Sequence, residues 1–297
     1  MKILVTGKNG QVARCLADQS ANFPHLALFF EERPMLDLAR EDSIVDSVMR
    51  NKPDLIINAA AYTAVDKAED EPDLAMAVNG TAPGILAREA KAIGAGILHI
   101  STDYVFAGDL DRPYLETDSV GPLGVYGKTK LAGEEAVRRE NVDHTILRTA
   151  WVISPYGGNF VKTMLRLAKD RDSLNVVDDQ HGNPTSAHDI ALALLTIADH
   201  RSKGLVTGKG QTYHFAGGIE TTWCGFAREI FRLSRAHGGP SAEVSAITTA
   251  DYPTKAVRPA NSRLNSARIL SDFAMPLDRD TLLQGDIVKR ILEDSHA

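Results

Sequence analysis

Apolar residues in this chain fall in short blocks separated by longer amphipathic stretches. Lys2–Thr6, Leu26–Phe30, Asp54–Asn58, Gly96–Ser101 and His144–Arg148 read as core strands, the third with the apolar centre Leu55-Ile56-Ile57. Helical periodicity appears around Ile44–Arg50, Leu74–Ile93 and Val125–Arg139. Strands alternating with helices predict parallel pairing through crossover helices, hence an α/β fold on a doubly wound sheet. Past residue 153 the rhythm loosens under Pro and Gly punctuation, at Pro155, Gly157, Gly158, Gly182, Pro184, Gly238, Gly239, Pro240, Pro253 and Pro259. The chain therefore divides into a first domain over 1–153 and a smaller second domain over 154–297, with 212–216 a candidate to return to the main sheet.

The first strand runs straight into Gly7-Lys8-Asn9-Gly10-Gln11-Val12-Ala13, a GxxGxxA turn that opens a helix. Small residues there let the backbone turn tightly and bring a pyrophosphate close to the amides at the helix amino terminus, which makes 1–153 a dinucleotide-binding domain. The spacing departs from GxGxxG, and an ordinary strand-to-helix turn reads the same way. The second strand ends in Glu31-Glu32-Arg33, about 20 residues past the glycines, where a ribose is read. Glu32 suits a free 2′-hydroxyl and Arg33 a 2′-phosphate, so the pair predicts relaxed cofactor choice; on the bland reading both are charges on a solvated loop. The third strand closes in Asn58-Ala59-Ala60-Ala61, small residues at a strand's carboxyl end that leave room for a ribose and nicotinamide.

Tyr126 and Lys130 sit one helical turn apart in Val-Tyr-Gly-Lys-Thr-Lys, so phenol and ammonium project from one face. A phenol is a weak acid, with an ordinary pKa of about 10, and a fixed cation beside it favours the phenolate. The spacing therefore predicts a proton donor for a substrate oxygen, although any amphipathic helix can carry it. Thr102, at the end of the fourth strand in Ser-Thr-Asp-Tyr-Val-Phe, offers a hydroxyl to hold a reacting carbonyl, or else a cap.

Composition narrows the class. A formal charge of -6 over 297 residues, without a basic block, argues against nucleic-acid or membrane-surface binding as the main task. There is no apolar run near 18 residues and no charged leader, and the protein is read as cytoplasmic. Cys15 and Cys224 are too few for a disulfide framework or a cysteine metal cluster and are expected to be reduced.

Together these strings resemble the extended short-chain dehydrogenase/reductases, and more narrowly the dTDP-4-dehydrorhamnose reductase family, which makes dTDP-L-rhamnose for bacterial surface polysaccharides. The likeness runs through GKNGQVA, LDL at 36–38, INAAAYTAVDKAE, STDYVFAG, VYGKTKLAGE, LRTAWV, GNFVKTMLRLAK, DDQHGNPT and RPANSRL, nearly the whole chain. STDYVF and YGKTKLAGE recur across sugar-nucleotide enzymes, whereas NAAAYTAVDKAE together with DDQxGxPT points to this family. The resemblance implies a Rossmann-like sheet, NADPH or NADH as cofactor, a dTDP-sugar substrate and a homodimer as the candidate assembly. It implies Thr102, Tyr126 and Lys130 as the catalytic set. Gly7, Gly10, Gln11, Val12, Asp37, Leu38, Ala60, Ala61, Tyr62 and Thr63 would line the cofactor with Glu32 and Arg33, while Val65, Asp103, Tyr104 and Trp151 would face the nucleotide sugar. Arg258 would hold the diphosphate, or pair with a carboxylate; Gln180, His181 and Asn183 would shape the domain junction. A sugar-nucleotide epimerase or dehydratase of the same fold is the nearest alternative, and a regulatory subunit that retains the pocket is a non-enzymatic one. Some family members have a magnesium-linked dimer held by carboxylates. Here the matching positions are Cys15, His188 and Asp294, a poor oxygen set for magnesium, so no metal site is expected.

Overall fold

The structure is a computed structural model that describes residues 1–275 and 283–294. Five strands, β1 (Lys2–Thr6), β2 (Ala27–Glu31), β3 (Leu55–Asn58), β4 (Gly96–Thr102) and β5 (His144–Thr149), join a sixth, Gln211–His214, in one parallel sheet. From one edge the order is the sixth strand, β5, β4, β3, β1, β2. The chain moves outward from β1 to β2, then crosses back to place β3 on the other side of β1. The crevice at the carboxyl ends of β1 and β3 is therefore the topological switch, where open α/β sheets hold ligands.

Successive strand residues point to opposite faces. Ile3, Val5, Ile57 and Leu98 pack with the helices Gln11–Gln19 and Ala187–Ser202. Leu4, Ile56, Ile97 and Ile146 go to the other face, among residues of Glu41–Asn51 and Ala82–Ala92. Burial on both sides is why these strands read as unbroken apolar runs. Polar groups brace the switch: the Thr6 hydroxyl donates to Asn58 Oδ1 at 2.7 Å and accepts from the Ala60 amide at 3.0 Å.

Two features lie beyond the linear pattern. The stretch read as one helix over Leu74–Ile93 is Pro72–Met76, a π-turn at Ala77–Thr81 and Ala82–Ala92. Inside the π-turn, the buried Asn79 exchanges hydrogen bonds with the Tyr62 backbone, 2.8 and 3.0 Å long, so side-chain bonding holds the loop after β3 in place. Helix Ala187–Ser202 and strand Gln211–His214 complete the sheet layer although both follow residue 153. The remaining C-terminal elements form a second core, in which helices Phe160–Leu167, Trp223–Ala236 and Leu283–Asp294 cover the parallel pair Ser173–Val177 and Glu243–Ile247. No helix among the described residues is long and apolar enough to cross a membrane.

Candidate active site

A cleft of about 640 Å³ opens over the carboxyl ends of β1, β3, β4 and β5. Its floor starts at the glycine turn. Gly7 has φ +77, and a Cβ there would come within 2.9 Å of Ala60 Cβ, so both conformation and contact demand glycine. Gly10 is the N-cap of helix Gln11–Gln19 and provides no side-chain cap, which leaves the first-turn amides available to an anion. Gln11 ties this turn to the loop after residue 153: its Oε1 accepts from the Ser154 hydroxyl at 2.8 Å and from Asn159 Nδ2 at 3.1 Å.

Helix Val125–Glu140 carries Tyr126 and Lys130 into the cleft. Two glycines let it sit close: a Cβ at Gly127 would be 2.2 Å from the Tyr104 carbonyl oxygen, and one at Gly133 would be 2.1 Å from that of Asn79. The Glu69 carboxylate accepts from the Val125 amide at 2.8 Å and so caps the positive end of the helix. From β4, Thr102 accepts from the Tyr104 amide at 3.2 Å and donates to Asp103 at 2.9 Å, so the cap reading of this hydroxyl and its place in the cleft hold together. The Tyr104 and Tyr126 rings meet edge to face, 5.7 Å between centroids.

Electrostatics in the cleft differ from the expectation at one point. Burial pushes the Tyr126 phenol up to about 12, with Thr102 pulling the other way and Asp103 reinforcing the rise. The lowering expected from Lys130 is not what sets this value: burial acts first, because removing a phenolate from water is costly, and the group pulling the other way is Thr102. The Lys130 ammonium donates to the Ile100 carbonyl oxygen at 2.7 Å, and burial brings its own pKa down to about 8. Asp103 is pushed up to about 6, again by burial.

Above this, Trp151 adopts a left-handed φ of 43 and stacks on Trp223, with ring centroids 3.4 Å apart and planes within 7°. Gly182 makes room for it, since a Cβ there would lie 2.3 Å from the indole. That close approach is a physical reason for the glycine in DDQHGNPT. The neighbouring Asn183 donates to the carbonyls of Gly217 and Ile219 and accepts from the Leu264 amide; Gln180 donates to Thr249, and the His181 amide donates to Ala260.

Of the expected residues, Gly7, Gly10, Gln11, Val12, Glu32, Ala60, Ala61, Thr63, Val65, Thr102, Asp103, Tyr104, Tyr126, Lys130 and Trp151 line this cleft. Arg33, Asp37, Leu38, Tyr62 and Arg258 do not. Arg33 is exposed, Leu38 is in the core, and Asp37 accepts from the Ala39 amide. The Tyr62 hydroxyl donates to Glu71 at 2.6 Å. Arg258 pairs with Asp66 at 2.6 Å and borders a second cleft of about 650 Å³, whose walls include Phe160, Arg171, Gln180 and Tyr252. Trp223 lines both clefts.

Asn9, Ser101, Thr149, Val152, Gly157, Gly158 and Trp223 line the first cleft without having been singled out. Thr149 ends a parallel strand, a position the same strand-end rule would have picked. Its buried hydroxyl has no hydrogen-bond partner, which fits a ligand in the cleft. Trp223 carries no such local signal. Of the positions matched to a magnesium site, Cys15 is fully buried in the sheet core and its thiol is pushed up to about 12 by burial. His188 Nε2 lies 3.0 Å from Asp18, and the Asp294 side chain is outside the described residues. Among the described residues no cluster of three or more His, Cys, Asp or Glu could hold a metal ion.

A family model described as RmlD substrate binding domain matches residues 1–287. The dTDP-4-dehydrorhamnose reductase of Sinorhizobium fredii is 46% identical over 277 residues, 93% of each chain. A solved dTDP-4-dehydrorhamnose reductase from Clostridium acetobutylicum superposes with a TM-score of 0.88 at 37% identity and covers 100% of both chains. Another from Bacillus anthracis, in complex with NADP, has a TM-score of 0.86 at 31% identity over 99% of each.

Proposed function

This chain belongs to the dTDP-4-dehydrorhamnose reductase family, and from that premise we propose that it reduces the 4-keto group of a dTDP-4-dehydro-6-deoxy sugar to give dTDP-L-rhamnose. The observation that carries the reading is the meeting of Thr102, Tyr126 and Lys130, from a strand end and a separate helix, in one cleft continuous with the glycine turn.

The residues present fit a nicotinamide dinucleotide: Gly7, Gly10 and Gln11 at an uncapped helix end for the pyrophosphate, Ala60 and Ala61 for the ribose, and an unpartnered Thr149 hydroxyl further in. NADPH or NADH, when bound, supplies the hydride. Tyr126, whose pKa lies far above neutral, keeps its proton and donates it to the oxygen at C4. Thr102 holds that oxygen. The Lys130 ammonium, anchored on the Ile100 carbonyl, stabilises the phenolate as it forms. Asp103, Tyr104 and the Trp151 indole face the sugar, and the second cleft beyond Trp223, with Arg258 at its border, has the room for the nucleotide. The net charge of -6 and a freely diffusing nucleotide substrate support a cytoplasmic enzyme with neither nucleic-acid nor membrane partner, and a homodimer is the assembly we expect.

The test is a product assay with dTDP-4-keto-6-deoxy-L-mannose and each reduced nicotinamide. One reduced nicotinamide should be consumed per sugar, and NMR should identify the product as dTDP-L-rhamnose. Turnover without net loss of the reduced cofactor would instead mark an epimerase or dehydratase.

A further inference from the structure

The chain has two tryptophans, Trp151 and Trp223, and the fold stacks them face to face where the two clefts meet. Trp151, two residues past β5, takes a left-handed φ of 43, a conformation that a bulky side chain keeps only where its surroundings hold it. Three contacts do so here. The Trp151 carbonyl accepts from the Thr185 amide at 3.1 Å, the bare backbone of Gly182 leaves space for the indole, and the Trp223 ring lies parallel to it. Trp223 is fixed in turn at the first position of helix Trp223–Ala236. Thr222 caps that helix by accepting from the Gly225 amide at 3.0 Å and donates its hydroxyl to Asp178, while the Phe160 ring packs on the indole with centroids 4.6 Å apart. At 3.4 Å between centroids the tryptophan pair has little of the offset that stacked rings prefer, so its supports impose the arrangement. Among the described residues, Trp223 is the one that lines both clefts.

We propose that Trp223 is a positioning residue for the reduction, an inference that rests on the sugar and nucleotide places assigned above. Through its stack it fixes the Trp151 indole in the wall that also carries Thr102 and Tyr126, and so sets where the sugar lies relative to the proton donor. Because Trp223 also walls the cleft assigned to the nucleotide, the nucleotide end of the substrate bears on the residue that seats the sugar end. Misplacing the reacting carbonyl by about an ångström can cost about 10² in rate, so losing the support is read in turnover more than in cofactor affinity. Backbone strain at Trp151 is of the kind that gathers at functional sites, and here it serves that placement.

The experiment uses the full chain in steady-state turnover and in tryptophan fluorescence, where the stacked pair is the whole signal. Trp223→Ala should lower kcat for the 4-keto sugar about 10–10²-fold and leave the reduced-nicotinamide Kd within about twofold. Trp223→Phe, which keeps a ring to stack, should recover kcat to within about threefold of the unaltered enzyme. Where Trp223→Ala is poorly folded, Trp223→Leu replaces it: apolar volume is kept, the stacking plane is lost and the same fall in kcat is expected. Added alone, dTDP should change the emission saturably, both in the unaltered protein and in Trp151→Phe, where Trp223 is the only emitter. Native kcat in the Ala or Leu variant, no rescue by Trp223→Phe, or an emission indifferent to dTDP that calorimetry shows to be bound would each overturn the proposal and leave the reductase reading standing. A protein that binds no dTDP would remove both.

Discussion

Helix Val125–Glu140 holds buried charge at two places, and the two are treated in opposite ways. In its second half Glu134, with no exposed side-chain surface, takes Arg148 on both oxygens at 2.7 and 2.8 Å, and Arg138 at 2.8 Å. Burial raises its pKa, yet the paired arginines win and hold it below the ordinary carboxylate range. One turn earlier Lys130 is also buried, but its ammonium donates to the Ile100 carbonyl dipole, and burial brings its pKa down to about 8. Tyr126 is driven the other way, up to about 12. A buried group given a full counter-charge becomes a structural strut. One whose hydrogen bond goes to a dipole, with its counter-charge a turn away and already paired, keeps a proton equilibrium that chemistry can use.

The sharpest break in that comparison is Tyr126→Phe. Removing the proton donor should lower kcat by about 10²–10⁴ with little change in cofactor Kd or melting temperature. Near-native turnover would mean that the proton comes from elsewhere.

Glu134→Gln should do the reverse. Leaving Arg148 buried without its counter-charge should cost about 3–5 kcal/mol of stability in denaturant unfolding, while cofactor contacts are untouched. Unchanged stability would show that water or another group satisfies Arg148.

The smallest expected effect concerns pH. The useful form of Lys130 is the ammonium, and its depressed pKa means that this form is lost as pH rises through about 8. The kcat for reduction should therefore decline above about pH 8, and Lys130→Arg, charged throughout, should move that limb upward. A flat profile to pH 10 in the unaltered enzyme would assign Lys130 to positioning alone.

Much of this molecule was legible along the chain. Five of the six parallel strands announce themselves as short blocks with an apolar centre; β1, β3, β4 and β5 are buried on both faces, whereas β2, at the sheet edge, is partly exposed and shows through its Leu-Ala-Leu-Phe-Phe run alone. The glycine turn and the Tyr126–Lys130 spacing are legible because tight turns and helical faces are local geometry. Even the close packing of Gly127 and Gly133 is written in Tyr-Gly-Lys-Thr-Lys-Leu-Ala-Gly, once the neighbours are known.

What the tertiary structure decided is which of these groups face one another. Glu31 and Glu32 are chemically identical and adjacent, and only the docking of helix Glu41–Asn51 beneath one and of Asn9 beside the other separates a helix anchor from a group in the cleft wall. Trp223 stacks on Trp151 from 72 residues away, and Arg258 finds Asp66 across 192. The rise of the Tyr126 pKa, against the local expectation from Lys130, is of the same kind. Spacing places a cation near a phenol, but desolvation is summed over every atom that excludes water, and those atoms come from the whole fold.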